Sequence, residues 1–219
     1  MPRIALIHAL AHSPPPVNAA FERLWPEAVR MNLLDDSLSA DLAARGGIDA
    51  EMTGRFIALG DYAVANGADA ILFTCSAFGP CIEAVKAHLA PRLVLKPNEA
   101  MLDEAVARAA ALGGASIGLV ASFAPTLASM PAEFPPQLRL RTALAEGALE
   151  ALDRGDLAAH DDAAVRAALT LAATGCRLIA LAQFSLARAA PRVAAATGLP
   201  VLTTVDSAVS RLRAAFDGR

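Results

Sequence analysis

The chain has few of the residues from which several common kinds of binding site are built. Its 219 residues include one Trp, one Tyr and three Cys. So few aromatic rings, together with a net charge of −3, exclude a basic surface that stacks nucleic-acid bases. Three cysteines cannot form a disulfide framework, and the positions of Cys75, Cys81 and Cys176 do not match a zinc site. We therefore expect no nucleic-acid partner, no metal and a reducing compartment.

Long hydrophobic runs and glycine-rich phosphate loops are also missing. No apolar run reaches the length that spans a membrane. The N-terminal apolar run is short and contains His8, so it does not fit a secretory signal. Neither of the glycine motifs that bind nucleotide phosphates occurs. The protein is therefore expected to be cytoplasmic and to have no membrane partner.

What the chain does have is a hydrophobic content of 55% and a repeated alternation of strand-like and helix-like segments. This alternation predicts parallel βαβ units. The predicted strands cover residues 3–8, 28–33, 70–74, 93–95, 116–120, 137–144, 178–181 and 199–203. The predicted helices cover residues 17–24, 52–66, 98–112, 146–154, 161–173 and 205–216, with one more after position 75.

The second half of the chain repeats the pattern of the first. Residues 65–75 align with residues 173–183, an offset of 108 that places Gln183 where the first half has Cys75. The pattern predicts two similar α/β lobes with mainly parallel sheets and an active-site cleft between them. The predicted division is a first lobe over residues 1–112, a second lobe over residues 113–204, and a C-terminal helix over residues 205–219 that packs back toward the first lobe.

Cys75 is the strongest candidate for chemistry. It follows an apolar run that ends at Phe73, and a helical pattern comes after it. Ligands of open α/β sheets bind beyond the carboxyl ends of the strands. A helix that begins at Ser76 would favour the thiolate, because its free N–H groups carry partial positive charge. Cys75 is therefore predicted to be catalytic, whereas Cys81 and Cys176 are predicted to be structural.

Three features together point to a known family. They are the thiol strand Phe73-Thr-Cys75-Ser76, the second-half stretch Ile117-Gly-Leu-Val-Ala-Ser122-Phe-Ala-Pro-Thr126, and the internal duplication. With these features the chain resembles the Asp/Glu racemase superfamily, which includes aspartate, glutamate and hydantoin racemases, maleate isomerase and arylmalonate decarboxylase. The resemblance covers nearly the whole chain and implies two pseudo-duplicated Rossmann-like lobes.

The resemblance implies an enzyme that uses no metal, flavin or pyridoxal phosphate. In that superfamily two cysteines, one from each lobe, face each other across the substrate and move protons at its α carbon. Cys75 matches the first of them, but the second position holds Gln183, which does not exchange a proton usefully at neutral pH. The predicted function is therefore that of a cofactor-independent racemase/isomerase-like enzyme that acts at the α carbon of a small carboxylate through a single cysteine.

Several alternatives stay open. A single thiol also suits a one-face decarboxylase of a malonate-type acid, a cis–trans isomerase that works by thiol addition, or a small-molecule binding protein without catalysis. His8, at the end of the first predicted strand, is the candidate for a second acid or base, although a histidine there can also serve as a structural hydrogen-bonding residue. A homodimer is left open as an assembly.

The remaining candidates lie at predicted strand ends, where backbone N–H groups can hold a carboxylate. Hydroxyl groups at these positions also act as helix caps, and both roles use the same geometry. The predicted substrate-binding residues are Ser76, Ala77, Asn98, Ser122, Phe123, Thr126, Gln183, Phe184 and Ser185.

Overall fold

The computed structural model describes residues 1–217, which form eight β-strands and ten α-helices. Within these residues no helix combines the length and the hydropathy that crossing a membrane requires. The strands are β1 (Arg3–His8), β2 (Val29–Leu34), β3 (Ala70–Phe73), β4 (Leu93–Leu95), β5 (Ile117–Ala121), β6 (Leu140–Leu144), β7 (Leu178–Leu181) and β8 (Val201–Thr203).

The helices alternate with these strands, and short 3₁₀ turns cover Ser76–Phe78, Met130–Glu133 and Phe184–Ala189. The helices are α1 (Pro14–Leu24), α2 (Ser37–Arg45), α3 (Ala50–Ala65), α4 (Gly79–His88), α5 (Glu99–Ala111), α6 (Ala124–Ser129), α7 (Ala148–Asp153), α8 (Leu157–Ala173), α9 (Ala190–Thr197) and α10 (Thr204–Phe216). The chain divides into two compact units: unit 1 is Met1–Ala100 with the segment from Ala208 onward, and unit 2 is Met101–Ser207.

Unit 1 contains a four-stranded parallel sheet in the order β2-β1-β3-β4. Every residue of β3 is buried, as expected for a central strand that helices cover on both faces. Strand β2 lies at the edge, and Val29 and Leu34 are exposed there. Because β1 and β3 are parallel neighbours, with Ile7 opposite Phe73, the last residue of β1, His8, lies at the same end of this sheet as Cys75, which comes two residues after β3.

Unit 2 repeats this arrangement with the strand order β6-β5-β7-β8. Strands β7 and β8 begin and end 108 residues after β3 and β4, as the repeat in the sequence predicts. The helices that precede β3 and β7 even begin alike. Asp49 accepts a hydrogen bond from the backbone N–H of Met52, and Asp156 accepts one from that of Ala159. The prediction of a duplicated α/β fold with parallel sheets is confirmed.

Some elements differ from the sequence-based expectation. Helices α2, α6 and α9 were not predicted, because each is short and presents too few apolar positions to define a stripe. Residues 14–16, three prolines that we expected to precede α1, form its first turn, where a missing N–H costs nothing. The strand predicted from residue 137 begins only at Leu140, since Pro135 and Pro136 open a turn in which Leu138 donates to Pro135 O.

The end of the chain contributes to unit 1. The ring of Phe216 lies 5.8 Å from the ring of Trp25, measured between centroids. The guanidinium of Arg213 donates to the backbone oxygen of Leu24 at 2.7 Å. These contacts attach the last turns of α10 to the C-terminal end of α1.

Candidate functional site

Cys75 lies just beyond the carboxyl end of β3, in extended backbone with φ −122° and ψ 121°. A 3₁₀ turn follows directly, and α4 begins only at Gly79, with Pro80 in its first turn. The helix expected from Ser76 therefore begins as a 3₁₀ turn, and the α-helix proper starts three residues later. The electrostatic effect of a helix terminus falls off within its first turn, so α4 does little to favour a thiolate at Cys75.

The thiol of Cys75 is only partly exposed, and its surroundings decide its ionisation. Burial raises the pKa of Cys75 above that of an ordinary thiol, and a hydrogen bond from the backbone N–H of Ala77 offsets only part of this rise. Burial therefore acts against the thiolate that a helix terminus would favour. A thiol with a raised pKa can donate a proton but is a poor base.

Apolar side chains surround the inner side of this thiol. Leu38 of α2 is fully buried, and the ring of Phe56 lies 5.4 Å from that of Phe73 and 4.8 Å from that of Phe78. The raised pKa of the thiol follows from this apolar environment. A narrow crevice at the strand ends is lined by Ile7, His8, Ala9, Leu38, Phe56, Phe73 and Cys75.

His8 is fully buried, and both of its ring nitrogens have partners. Nδ1 lies 2.9 Å from the hydroxyl of Thr74, and Nε2 lies 3.0 Å from Oδ1 of Asn32. Asn18 donates its amide to Pro14 O at 2.9 Å and to the same Oδ1 of Asn32 at 3.2 Å. Oδ1 of Asn32 is an acceptor, so Nε2 of His8 carries a proton, and the hydroxyl of Thr74 lies within hydrogen-bond distance of both Nδ1 and Ile7 O, at 2.9 and 3.3 Å.

This network suits a neutral imidazole. Burial lowers the pKa of His8, although the hydrogen bond to Asn32 acts in the opposite direction. The ring therefore joins β2, through Asn32, to Thr74, the residue just before Cys75. Both ring nitrogens of His8 already have hydrogen-bond partners, so a proton transfer by this residue would require one of these hydrogen bonds to break.

The other predicted residues of unit 1 lie near the same strand ends. Ser76 and Ala77 are exposed, and Asn98 is buried just before α5. The charged groups nearby are paired: Lys86 contacts Glu99 at 2.6 Å, and Lys96 contacts Glu83 at 2.8 Å.

In unit 2 the side chain of Gln183 joins two strand ends. It follows β7, and its Oε1 accepts a hydrogen bond from the backbone N–H of Ser122 at 2.9 Å. Its Nε2 donates to the hydroxyl of Thr126 at 2.8 Å. The donors that the sequence suggests for a substrate carboxylate, at Ser122 and Thr126, therefore contact the amide of Gln183. The structure brings these three predicted residues together.

The remaining predicted residues of unit 2 differ in exposure. Phe123, just after Ser122, is 50% exposed, whereas Phe184 is buried and Ser185 is half-buried. An exposed phenylalanine beside a group of polar donors offers an apolar surface to a ligand. The predicted site residues thus form two sets, one in each unit.

Several residues at these sites were missed from the sequence. Thr74, Asn32 and Asn18 hold the ring of His8, and nothing in their spacing predicts that they meet. In unit 2, Nδ1 of His160 contacts Asp161 at 3.0 Å, and Asp161 also pairs with Arg188 at 2.8 Å. Nε2 of His160 is buried without a hydrogen-bond partner among residues 1–217. This second cluster joins α8 to the 3₁₀ turn that follows Gln183.

Comparison with known proteins places the fold in a recognised class. No protein family matches the sequence, and no curated protein matches it. Solved structures do match over nearly the whole chain, and they include racemases and a decarboxylase. They share the two-unit α/β fold of this chain.

Three of these structures illustrate the match. An aspartate racemase homologue from Pyrococcus horikoshii has a TM-score of 0.74 and 14% identity, over 98% of this chain and 99% of that one. Allantoin racemase from Klebsiella pneumoniae has a TM-score of 0.69 and 17% identity, over 98% and 87% of the two chains. Arylmalonate decarboxylase has a TM-score of 0.64 and 19% identity, over 100% and 94%. At these identities the comparisons show the fold.

Proposed function

We propose that this protein is a cofactor-independent, racemase/isomerase-like enzyme that acts at the α carbon of a small carboxylate, with Cys75 as its proton-transfer residue. The observation that carries the proposal is the position of this thiol, partly exposed beyond the carboxyl end of a central parallel strand. The fold that it shares with racemases and a decarboxylase supports the reaction class.

The proposed chemistry passes through an enediolate. Loss of a proton or of CO₂ beside a carboxylate leaves an electron pair on the α carbon, and the carboxylate delocalises it. Donors at the strand ends would stabilise the resulting charge. The residues proposed to bind the substrate are Ser76, Ala77, Asn98, Ser122, Phe123, Thr126, Gln183, Phe184 and Ser185.

Ser122 and Thr126 would take part through Gln183. A substrate carboxylate can replace the amide oxygen of Gln183 at the N–H of Ser122, or it can bind the outer face of the amide. Either way the amide donates or accepts hydrogen bonds, and it supplies no proton to carbon. Proton delivery from Cys75 alone would then reach one face of the intermediate.

A one-face decarboxylation of a malonate-type acid is the second candidate, and the ionisation of Cys75 favours it. Burial raises the pKa of the thiol, so the group starts as a proton donor rather than as a base. In this reaction the C–CO₂ bond breaks, CO₂ leaves, and the electron pair stays on carbon as the enediolate. The S–H proton of Cys75 then moves to that carbon, and water reprotonates the thiolate.

Racemisation needs a base as well. The N–H of Ala77 offsets only part of the rise that burial causes in the pKa of Cys75, and a substrate carboxylate nearby would disfavour the thiolate further. Racemisation through Cys75 therefore needs a cationic group beside the thiol, such as the ammonium of an amino-acid substrate. A protein that only binds carboxylates, the remaining alternative, would show neither α-proton exchange nor CO₂ release.

The test is a screen of α-proton exchange and CO₂ release in D₂O over amino acids, hydroxy acids and substituted malonates. The wild-type protein is compared with Cys75→Ala. Turnover of a member of the panel that Cys75→Ala abolishes supports the proposal. Binding of panel acids by calorimetry, with neither exchange nor CO₂ release, would show the binding protein instead.

A further inference from the structure

Helix α2 is a short element with few anchors. It has nine residues, and Leu38 is its one fully buried side chain. The N-cap residue Asp36 makes no side-chain cap bond to it. A helix of this length is marginal on its own in water, so tertiary contacts must hold it in place. Each of those contacts therefore affects the position of Leu38.

The guanidinium of Arg55, on α3, contacts residues that come before and after Leu38 in the sequence. Its Nη2 contacts Asp35 at 2.6 Å and the hydroxyl of Ser37 at 2.7 Å, and its Nη1 contacts Asp41. Asp35 also accepts the hydroxyl of Ser37 at 2.7 Å. We call Asp35, Arg55 and Asp41 the clamp.

Leu38 is the side chain through which the clamp can affect the candidate thiol. This side chain lines the crevice at the strand ends together with Cys75. Nearby, the hydroxyl of Ser39 donates to Ala9 O at 3.2 Å, and Ala9 lines the same crevice. Displacement of α2 would therefore open the apolar side of the thiol to water and to reagents.

We infer that the clamp controls access to the Cys75 thiol by holding Leu38 against it, which makes α2 a cover and Arg55 a positioning residue. Arg55 suits this role because its planar fork binds two carboxylates at once, which a lysine ammonium cannot do with the same geometry. Without the guanidinium, two carboxylates on either side of Leu38 would repel each other. The inference concerns the site of the proposed function, but access is measured without substrate, so each can fail independently of the other.

The experiment follows alkylation of the thiols by iodoacetamide, with the rate at Cys75 read from its own peptide by mass spectrometry. Arg55→Gln is expected to raise this rate at least about fivefold, the factor that corresponds to about 1 kcal/mol of destabilisation. Asp41→Asn, which removes one side of the clamp, should give a smaller increase. Leu38→Ala should raise the rate directly, and combining it with Arg55→Gln should add little, because both changes remove the same cover.

Arg108→Gln is the matched control. Arg108 lies on α5 and pairs with Glu104 at 2.6 Å, so it makes no ion pair with α2. The alkylation rate of Cys75 in this variant should equal that of the wild type. A wild-type rate in folded Arg55→Gln, or an equal increase in Arg108→Gln, would overturn the inference. If Arg55→Gln does not fold, Asp41→Asn decides, since a wild-type rate in that variant overturns the inference as well.

Discussion

The side-chain oxygen of Gln183 accepts the backbone N–H of Ser122 at 2.9 Å, across the ends of two neighbouring strands. The same amide donates to Thr126 at 2.8 Å. In the internal repeat Gln183 stands where the first half has Cys75. At this position of the repeat, an amide that forms hydrogen bonds with Ser122 and Thr126 therefore replaces a thiol that can transfer a proton.

Removal of this amide should loosen unit 2. Gln183→Ala deletes both hydrogen bonds and is expected to lower the free energy of unfolding by about 1–2 kcal/mol, measured by urea denaturation. Gln183→Glu should cost less, since the hydroxyl of Thr126 can donate to the new carboxylate. The chain's other glutamine, Gln137, is exposed, and Gln137→Ala should leave stability unchanged. Equal losses at the two positions would contradict the bridging role of Gln183.

Substitution of the thiol should separate chemistry from folding. Cys75→Ala and Cys75→Ser are expected to abolish turnover, because no other proton donor takes the place of the thiol. Packing loss should be modest, about 1 kcal/mol, because both replacements are small. Cys81→Ala is the control, since Cys81 is fully buried in α4 and has no role in the proposed reaction. Loss of turnover in Cys81→Ala alone would show that the wrong thiol was chosen.

The ionisation of Cys75 should be visible in solution. Because burial raises its pKa, alkylation should remain slow at neutral pH and rise only above the ordinary thiol pKa of about 8.5. The unfolded chain ionises first as the pH rises. Below the ordinary thiol pKa of about 8.5, this thiol therefore contributes fully to the free energy of unfolding, and the contribution is lost as the pH rises through the raised pKa. If the alkylation rate of Cys75 already reaches its plateau at pH 7, the residue is a thiolate at that pH and can act as a base, which would contradict the raised pKa.

His8 should remain neutral where an ordinary histidine becomes charged. Its pKa is lowered from the usual value of about 6.5 by burial, so nitrogen NMR should show the ring of His8 becoming charged at a lower pH than in the unfolded chain. Stability is present above the unfolded-state pKa and falls as the pH drops through the lowered one. A titration midpoint at or above that of the unfolded chain would contradict the lowered pKa of this buried ring.

Parts of the fold could be predicted from the sequence because they depend on local patterns. The short apolar runs of β3 and β7, the turn residues before them and their common offset can all be read from the sequence. Helix α2 could not be predicted, because its anchors, Leu38 and the contacts of Arg55, are tertiary. The position of Cys75 at a strand end was predictable for the same reason as the strand itself.

The ionisation of that thiol was not predictable. It depends on Leu38 and Phe56, which reach Cys75 only when the chain folds. The partners of Gln183 are equally distant in sequence, since Ser122 lies 61 residues before it. A list of candidate residues can thus be read from strand ends, but their protonation states and pairings require the tertiary structure.

The most direct test of the central claim is the face from which carbon is protonated. When a prochiral malonate is turned over in D₂O, the product should carry deuterium in one configuration, because Cys75 is the proposed acid and the amide of Gln183 is too weak an acid to protonate carbon. Equal labelling of both faces by the wild-type protein would contradict the claim that one thiol acts alone.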